Sequence, residues 1–185
     1  MEFRELTIPG AWVMTPRLHG DDRGTFCESF KASEFEKATG RPFDLHQVNT
    51  SVSAAGGLRG IHYTETPPGQ AKYVTCVRGA FFDVVVDLRP GSPTYGRWDS
   101  VLLDDVHRRS VFLSEGLGHA ILSLEDNSTV TYLCSIEYTP EFDRDIDAFD
   151  ARLNIDWPTE ARDGRPLTYI RSPKDEAAPG FSGHA

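Results

Sequence analysis

Basic residues are scarce in this chain: 19 lysines and arginines stand against 28 aspartates and glutamates in 185 residues, a formal net charge of -9. A surface of that sign repels nucleic acid. Any phosphate ligand must therefore be held by a local arginine cluster, for which Arg23 and Arg59 are the candidates. Cysteine is equally sparse. Cys27, Cys76 and Cys134 are odd in number, widely spaced and set in apolar or strand-like runs, so they predict buried thiols in a reducing cytoplasm and no disulfide framework. No apolar run approaches the length of a membrane span, and Met1-Glu2-Phe3-Arg4-Glu5 lacks the basic patch and apolar run of a secretory signal. The expectation is a soluble cytoplasmic protein. Internal repeats, interdomain linkers and low-complexity tracts are also lacking. With 39% hydrophobic residues, one domain over 1–185 has enough apolar matter for its own core.

What is present reads as strands. In Phe81 to Leu88, residues Phe82, Val84, Val86 and Leu88 fall on one face and Phe81, Asp83, Val85 and Asp87 on the other, which predicts a strand packed on both sides. Short runs of similar character recur at 72–77, 100–103, 110–113, 119–124 and 129–138, divided by Pro-Gly, Arg-Gly, Gly-Ser-Pro, Asp-Asp and Asp-Asn-Ser breaks that read as turns. Many short strands between regular turns indicate a sandwich or barrel. One short helix is expected near the start, with Ser33 as cap, Glu36 closing a capping box and Gly40 ending it, placed over one end of the barrel. After Trp157-Pro158 periodicity is lost, leaving a charged, Pro- and Gly-containing tail over about 159–185.

Three side chains carry the chemistry. His62, Lys72 and Tyr132 supply an imidazole, an ammonium and a phenol, the parts needed to remove a proton beside a carbonyl, stabilise the enolate and return a proton from the other side. That combination points to an isomerase. Each also has an ordinary reading: a hydrogen-bonded structural histidine, a solvent-facing lysine on an edge strand, a core tyrosine with its hydroxyl at the surface. Lys72 shares a strand face with Val74 and Cys76, which aims it into a barrel. Arg59 and His62 conflict, because strict alternation puts them on opposite faces. If both serve one site the register must break, and Gly60 allows a bulge.

The words Gly57-Leu58-Arg59-Gly60-Ile61-His62-Tyr63, Pro67-Pro68-Gly69-Gln70-Ala71-Lys72, Val77-Arg78-Gly79, Gly91-Ser92-Pro93-Thr94-Tyr95-Gly96 and Glu115-Gly116-Leu117-Gly118-His119, with Gly20-Asp21-Asp22-Arg23-Gly24 before them, resemble the dTDP-4-keto-6-deoxyhexose epimerases. The resemblance runs from about Arg4 to Asp175. It implies an all-β cupin-type jelly-roll barrel with a few short helices, no cofactor, a dTDP-linked 4-keto-6-deoxyhexose substrate, and a homodimer with exchanged strands. It further implies His62 as general base oriented by Asp175, Lys72 as enolate stabiliser and Tyr132 as proton donor. Arg23, Glu28, Gln47, Asn49, Arg59, His119, Asp143 and Lys174 would bind substrate, with Tyr138 stacking on the thymine. The Ser172-Pro173-Lys174-Asp175 word would then fold back to bring Asp175 to His62 and Lys174 near the substrate.

A metal centre is not expected. Small jelly-roll barrels often hold iron or manganese through a His-x-His pair, a glutamate and a distant histidine, but His62 is flanked two residues away by Gly60 and Thr64, so only Glu115 and His119 echo the pattern. Departures around His119, in Gly116-Leu117-Gly118-His119-Ala120-Ile121, and the 73–80 and 103–106 words resemble the antibiotic deoxysugar branch. They imply inversion at carbon 3, with the full 3,5-epimerase of the rhamnose pathway as the alternative. A noncatalytic sugar-nucleotide-binding barrel is the rival from another class; it would keep Arg23, Gln47 and Tyr138 but have no use for His62, Lys72 and Tyr132 together.

Overall fold

The computed structural model describes residues 1–183, so the last two positions of the expected tail lie outside the described residues. The first half of the chain provides β1 (Glu2–Glu5), β2 (Ala11–Thr15), β3 (His19–Asp21), β4 (Gly24–Phe26), α1 (Ala32–Thr39), β5 (Gln47–Ser53), β6 (Leu58–Thr64) and β7 (Lys72–Arg78). The second half provides β8 (Ala80–Asp87), β9 (Trp98–Asp104), β10 (Ser110–Leu113), β11 (Leu117–Ser123), β12 (Ser128–Cys134), β13 (Asp143–Asp145) and α2 (Pro173–Glu176). They form a six-stranded sheet in the order β1-β2-β10-β7-β12-β5, a five-stranded sheet in the order β13-β6-β11-β8-β9, and a separate β3-β4 hairpin. All the pairings between strands are antiparallel, as a jelly-roll barrel requires.

Strand β8 shows why the two sheets close on one another. Its Phe81 and Val85 join Val74, Cys76, Val111, Leu113 and Val130 between the sheets, while Val84 and Val86 join Leu122, Leu153, Trp157 and Phe181 on the outer side. Each such apolar side chain taken from water stabilises the fold by about 1.5–3 kcal/mol. The aperiodic tail is what covers the outer face of the five-stranded sheet. It is pinned there by main-chain bonds from Leu58 N to Ile170 O (2.9 Å) and from Ile170 N to Gly56 O (2.8 Å).

Helix α1 differs from its sequence reading at its start and in its position. Lys31 is the N-cap residue, in extended conformation and without a side-chain cap bond, so Ser33 lies inside the first turn and no capping box forms. Phe35 anchors the helix instead, against Phe30, Phe43, Tyr73 and Phe112. The helix thus covers the outer face of the six-stranded sheet and not a barrel end. Its far end is as expected, with Gly40 left-handed and its N–H bonded to Glu36 O. Strand β12 stops at Cys134, short of the expected Tyr138, and Cys27 is only half-buried whereas Cys76 and Cys134 are buried.

Candidate active site

Between the sheets lies a cavity of about 240 Å³ lined by Arg59, His62, Lys72, His119, Tyr132 and Asp175, among others. It adjoins a lobe of about 420 Å³ that includes Gln47, Asn49, Tyr138 and Asp143, and the two lobes share His62, Lys72, Tyr132 and Lys174. His62 stands on β6 of the five-stranded sheet, whereas Lys72 and Tyr132 stand on β7 and β12 of the six-stranded sheet. Base and acid candidates therefore project from opposite walls.

The strand register explains how Arg59 and His62 share this cavity. On β11, His119 pairs with His62 but Ile121, two residues on, pairs with Arg59, so β6 carries one residue more than its partner. The bulge sits at Gly60, whose φ of 117° is open to glycine. A Cβ there would lie 2.5 Å from His119 O. The extra residue brings both side chains to one side.

Asp175 fixes His62. Its Oδ1 lies 2.6 Å from His62 Nε2, its Oδ2 accepts from Ser172 Oγ (2.6 Å), and the Gly60 N–H is 3.4 Å from Oδ1. The carboxylate is 4% exposed. Burial pushes its pKa up, but the bonds from His62 and Ser172, the charge of the imidazole and the Gly60 N–H together hold it well below the usual carboxylate range. An acceptor at Nε2 places the ring proton on that nitrogen and leaves Nδ1 as the lone-pair nitrogen; among the described residues no group bonds Nδ1. Arg171 Nη2 donates to the Asp175 carbonyl and to Asp147 Oδ1 (2.9 Å), securing the segment.

Lys72 is on an interior strand between β10 and β12, not an edge. Among the described residues nothing hydrogen-bonds its ammonium. Burial depresses its pKa, opposed by Cys134, Asp143 and Asp83 and reinforced by Lys174. An enclosed cation of this kind is prepared for an oxyanion. The Tyr132 phenol is half-buried, and its pKa is raised by burial and Cys134, partly offset by Arg59, so it is a protonated donor at neutral pH. His119 Nε2 meets Asp83 Oδ2 at 2.7 Å, with Asp83 fully buried.

In the outer lobe Gln47 and Asn49 alternate inward along β5, and Gln47 Oε1 accepts the Tyr138 N–H at 2.8 Å. Tyr138 lies beyond the strand and is 57% exposed, its hydroxyl 3.5 Å from Asp143 Oδ2, so it reaches the lobe from a loop. Arg23 and Glu28 are not brought in. Arg23 pairs with Asp21 on the exposed β3-β4 hairpin, with 90% of its side chain exposed, and Glu28 lies 3.3 Å from Lys31.

Residues that sequence reasoning did not assign are Asp83, Asp145 and Ser172. Asp83 had a signal, since a carboxylate on the inward face of a doubly packed strand requires a partner. Asp145 faces His62 across β13 and β6, but a three-residue strand leaves no periodicity to read. The residual cupin metal pattern is broken up: Glu115 forms a two-pronged pair with Arg41 (2.7 Å each), and His119 is held by Asp83. Ligand-capable atoms of His62, Asp145 and Asp175 do lie within 4.8 Å of one another. A metal there would have to displace Lys174, whose Nζ is 3.0 Å from Asp145 Oδ1.

Known proteins resemble this chain over nearly its whole length. A family model described as dTDP-4-dehydrorhamnose 3,5-epimerase matches residues 5–183. A dTDP-4-dehydrorhamnose 3,5-epimerase of Mycobacterium tuberculosis is 55% identical over 98% of this chain and 88% of its own. The crystal structure of NovW, a 4-keto-6-deoxy sugar epimerase from the novobiocin gene cluster of Streptomyces spheroides, superposes with a TM-score of 0.90 at 50% identity, covering 97% of this chain and 87% of that one. ChmJ, a 3'-monoepimerase from Streptomyces bikiniensis solved with dTDP-quinovose, gives 0.89 at 48% identity, covering 95% and 86%.

Proposed function

Since the chain belongs to the dTDP-4-dehydrorhamnose 3,5-epimerase family, we propose that it inverts carbon 3 of dTDP-4-keto-6-deoxyglucose in deoxysugar biosynthesis for a glycosylated natural product. The observation that carries this is the facing arrangement of His62 on one sheet and Lys72 and Tyr132 on the other, around one cavity. His62 takes the proton from carbon 3, made acidic by the neighbouring ketone. Asp175 stabilises the resulting imidazolium, and the Lys72 ammonium stabilises the enolate oxygen. Tyr132 then donates a proton from the opposite wall, which inverts the centre. His119, held by Asp83, orients the sugar ring, and Lys174 lies beside it. The nucleotide occupies the outer lobe, with Gln47, Asn49 and Asp143 as polar contacts, Tyr138 on the thymine and Arg59 at the diphosphate.

The whole chain acts as one catalytic unit, because its tail supplies Asp175. Its free thiols suit a cytoplasmic setting. Arg23 and Glu28 complete a site only in a homodimer with exchanged strands. The wholly exposed β3-β4 hairpin, with Phe26 67% exposed, and the outward Val48 and Val52 of edge strand β5 support that assembly.

Inversion at both carbons 3 and 5 is the second reading, favoured by the 55% identity to the mycobacterial enzyme. The deciding experiment is incubation with dTDP-4-keto-6-deoxyglucose in deuterated water, with carbons 3 and 5 followed by NMR. Label mainly at carbon 3 is expected. Rapid labelling and inversion at both carbons would establish the second reading, and no label at either would leave a binding module. His62→Ala should not exchange, while Tyr132→Phe should exchange without inverting.

A further inference from the structure

His62 Nε2 is faced by two carboxylates. Asp175 Oδ1 at 2.6 Å takes its hydrogen bond, and Asp145 Oδ1 stands at 3.5 Å, too far for a strong hydrogen bond and close enough for a large Coulomb interaction. Asp145 is not there by accident of a loop. Strand β13 pairs with β6 so that Asp145 lies directly opposite His62 and Asp143 opposite Thr64. Lys174 then reaches across both acids, with Nζ 2.8 Å from Asp143 Oδ2 and 3.0 Å from Asp145 Oδ1. Because Lys174 and Asp175 are neighbours on α2, the tail delivers the orienting carboxylate and the cation that partly neutralises its rival in one piece.

We propose that Asp145 is a second positioning carboxylate for His62, stabilising the imidazolium formed on proton abstraction, and that Lys174 limits its strength. The proposal rests on the reading of His62 as the base. The other charged or titratable groups around His62 are Arg59 and Tyr63 on β6, His119 on β11 with Asp83 of β8 behind it, Asp143 and Arg144 on β13, Lys72 on β7, Tyr132 on β12, and Lys174 and Asp175 on α2. Among the described residues, no carboxylate other than those of Asp175 and Asp145 places an oxygen within 4.0 Å of a His62 ring nitrogen.

The test uses the full chain with Asp145→Asn, which keeps shape and removes charge, and Lys174→Gln, which removes the cation that restrains Asp145. Solvent deuterium exchange is followed against pH under substrate saturation. Asp145→Asn should lower kcat about tenfold with KM within about twofold of the parent, and should move the acid limb of the kcat profile to lower pH, because the imidazolium has lost an anion. Lys174→Gln should move that limb the opposite way, to higher pH. Thermal melting of both variants shows whether they fold. Two outcomes would overturn the inference: a parental kcat and acid limb in folded Asp145→Asn, or acid limbs displaced to the same side in both variants, which would make the Asp143–Lys174–Asp145 cluster only a latch for the tail. If Asp145→Asn does not fold, Lys174→Gln decides alone, a limb at higher pH supporting the inference and an unmoved or lower one ending it. His62→Ala separates the two levels: exchange surviving in it would end the reading of His62 as base, whereas its loss with an unmoved Asp145→Asn profile would end the Asp145 inference only.

Discussion

Lys72 is the residue at which stability and the proposed function oppose each other most directly. Its ammonium sits among Val74, Ile121 and Tyr132 without a hydrogen bond from any described residue, and burial depresses its pKa. For a lysine whose folded pKa lies below its unfolded one, the charged form is penalised by folding, and the penalty is relieved only as pH rises through the folded value. Lys72→Met should therefore raise the stability of the fold by about 0.5–2 kcal/mol, read as a higher Tm at neutral pH. The same change should cut kcat by about 10²–10³, the loss usual for one oxyanion-stabilising group. A variant with lower Tm and parental kcat would show that Lys72 serves the barrel rather than the reaction. His119 makes the contrast: fully buried Asp83 on the neighbouring strand holds its Nε2 through Oδ2 at 2.7 Å, while Asp83 Oδ1 has no hydrogen-bond partner among the described residues.

At the level of elements, α2 is joined to β6 by the His62–Asp175 pair and to β13 by the contacts of Lys174 with Asp143 and Asp145. Asp175 has a folded pKa held below its unfolded value, so its contribution to stability is complete above the ordinary carboxylate pKa and is lost as pH falls below roughly 4. Asp175→Asn should lose activity about a hundredfold and show a flatter decline of stability with acid than the parent, measured by denaturation at several pH values. Equal acid sensitivity would mean the pair is not formed in solution. Removing everything after Ile170 should also abolish turnover while the barrel stays folded, but it takes away Phe181, buried against Tyr95, and with it about 2 kcal/mol of apolar burial. The point substitution is thus the cleaner measure. This element was also the hardest to read from the sequence. Strand β8 and its two faces were legible because apolar residues recur with a period of two. Asp175 was reachable only through its resemblance to a family, because a tail that packs over an outer sheet face carries no period of its own. The bulge at Gly60 was legible as a conflict between Arg59 and His62, and its resolution needed the pairing with β11. The capping box at Ser33 failed because Phe35, packed on Tyr73 and Phe112, sets where the helix lies whatever the cap.

At the scale of the whole molecule, the proposed nucleotide site is left unfinished within one chain. The cavity and outer lobe gather every expected catalytic side chain, yet Arg23 and Glu28 stay on or beside a hairpin that buries nothing, and β5 ends its sheet with Val48 and Val52 turned to solvent. An exposed seven-residue edge with apolar side chains is an invitation to pair. If each working site combines His62 of one protomer with Arg23 of the other, two defective proteins should repair one another. Arg23→Ala and His62→Ala, each with low activity alone, are mixed in equal amounts under conditions that exchange subunits. A two-fold dimer distributes the defects so that every mixed dimer holds one site with both wild-type residues and one with neither. Random exchange makes half the dimers mixed, so about a quarter of the parental activity should return, with a dimeric mass by sedimentation throughout. No recovery despite demonstrated exchange would place Arg23 and His62 in the same protomer's site, or Arg23 outside the site altogether. A monomeric mass for the active parent would remove the exchanged-strand assembly from the account.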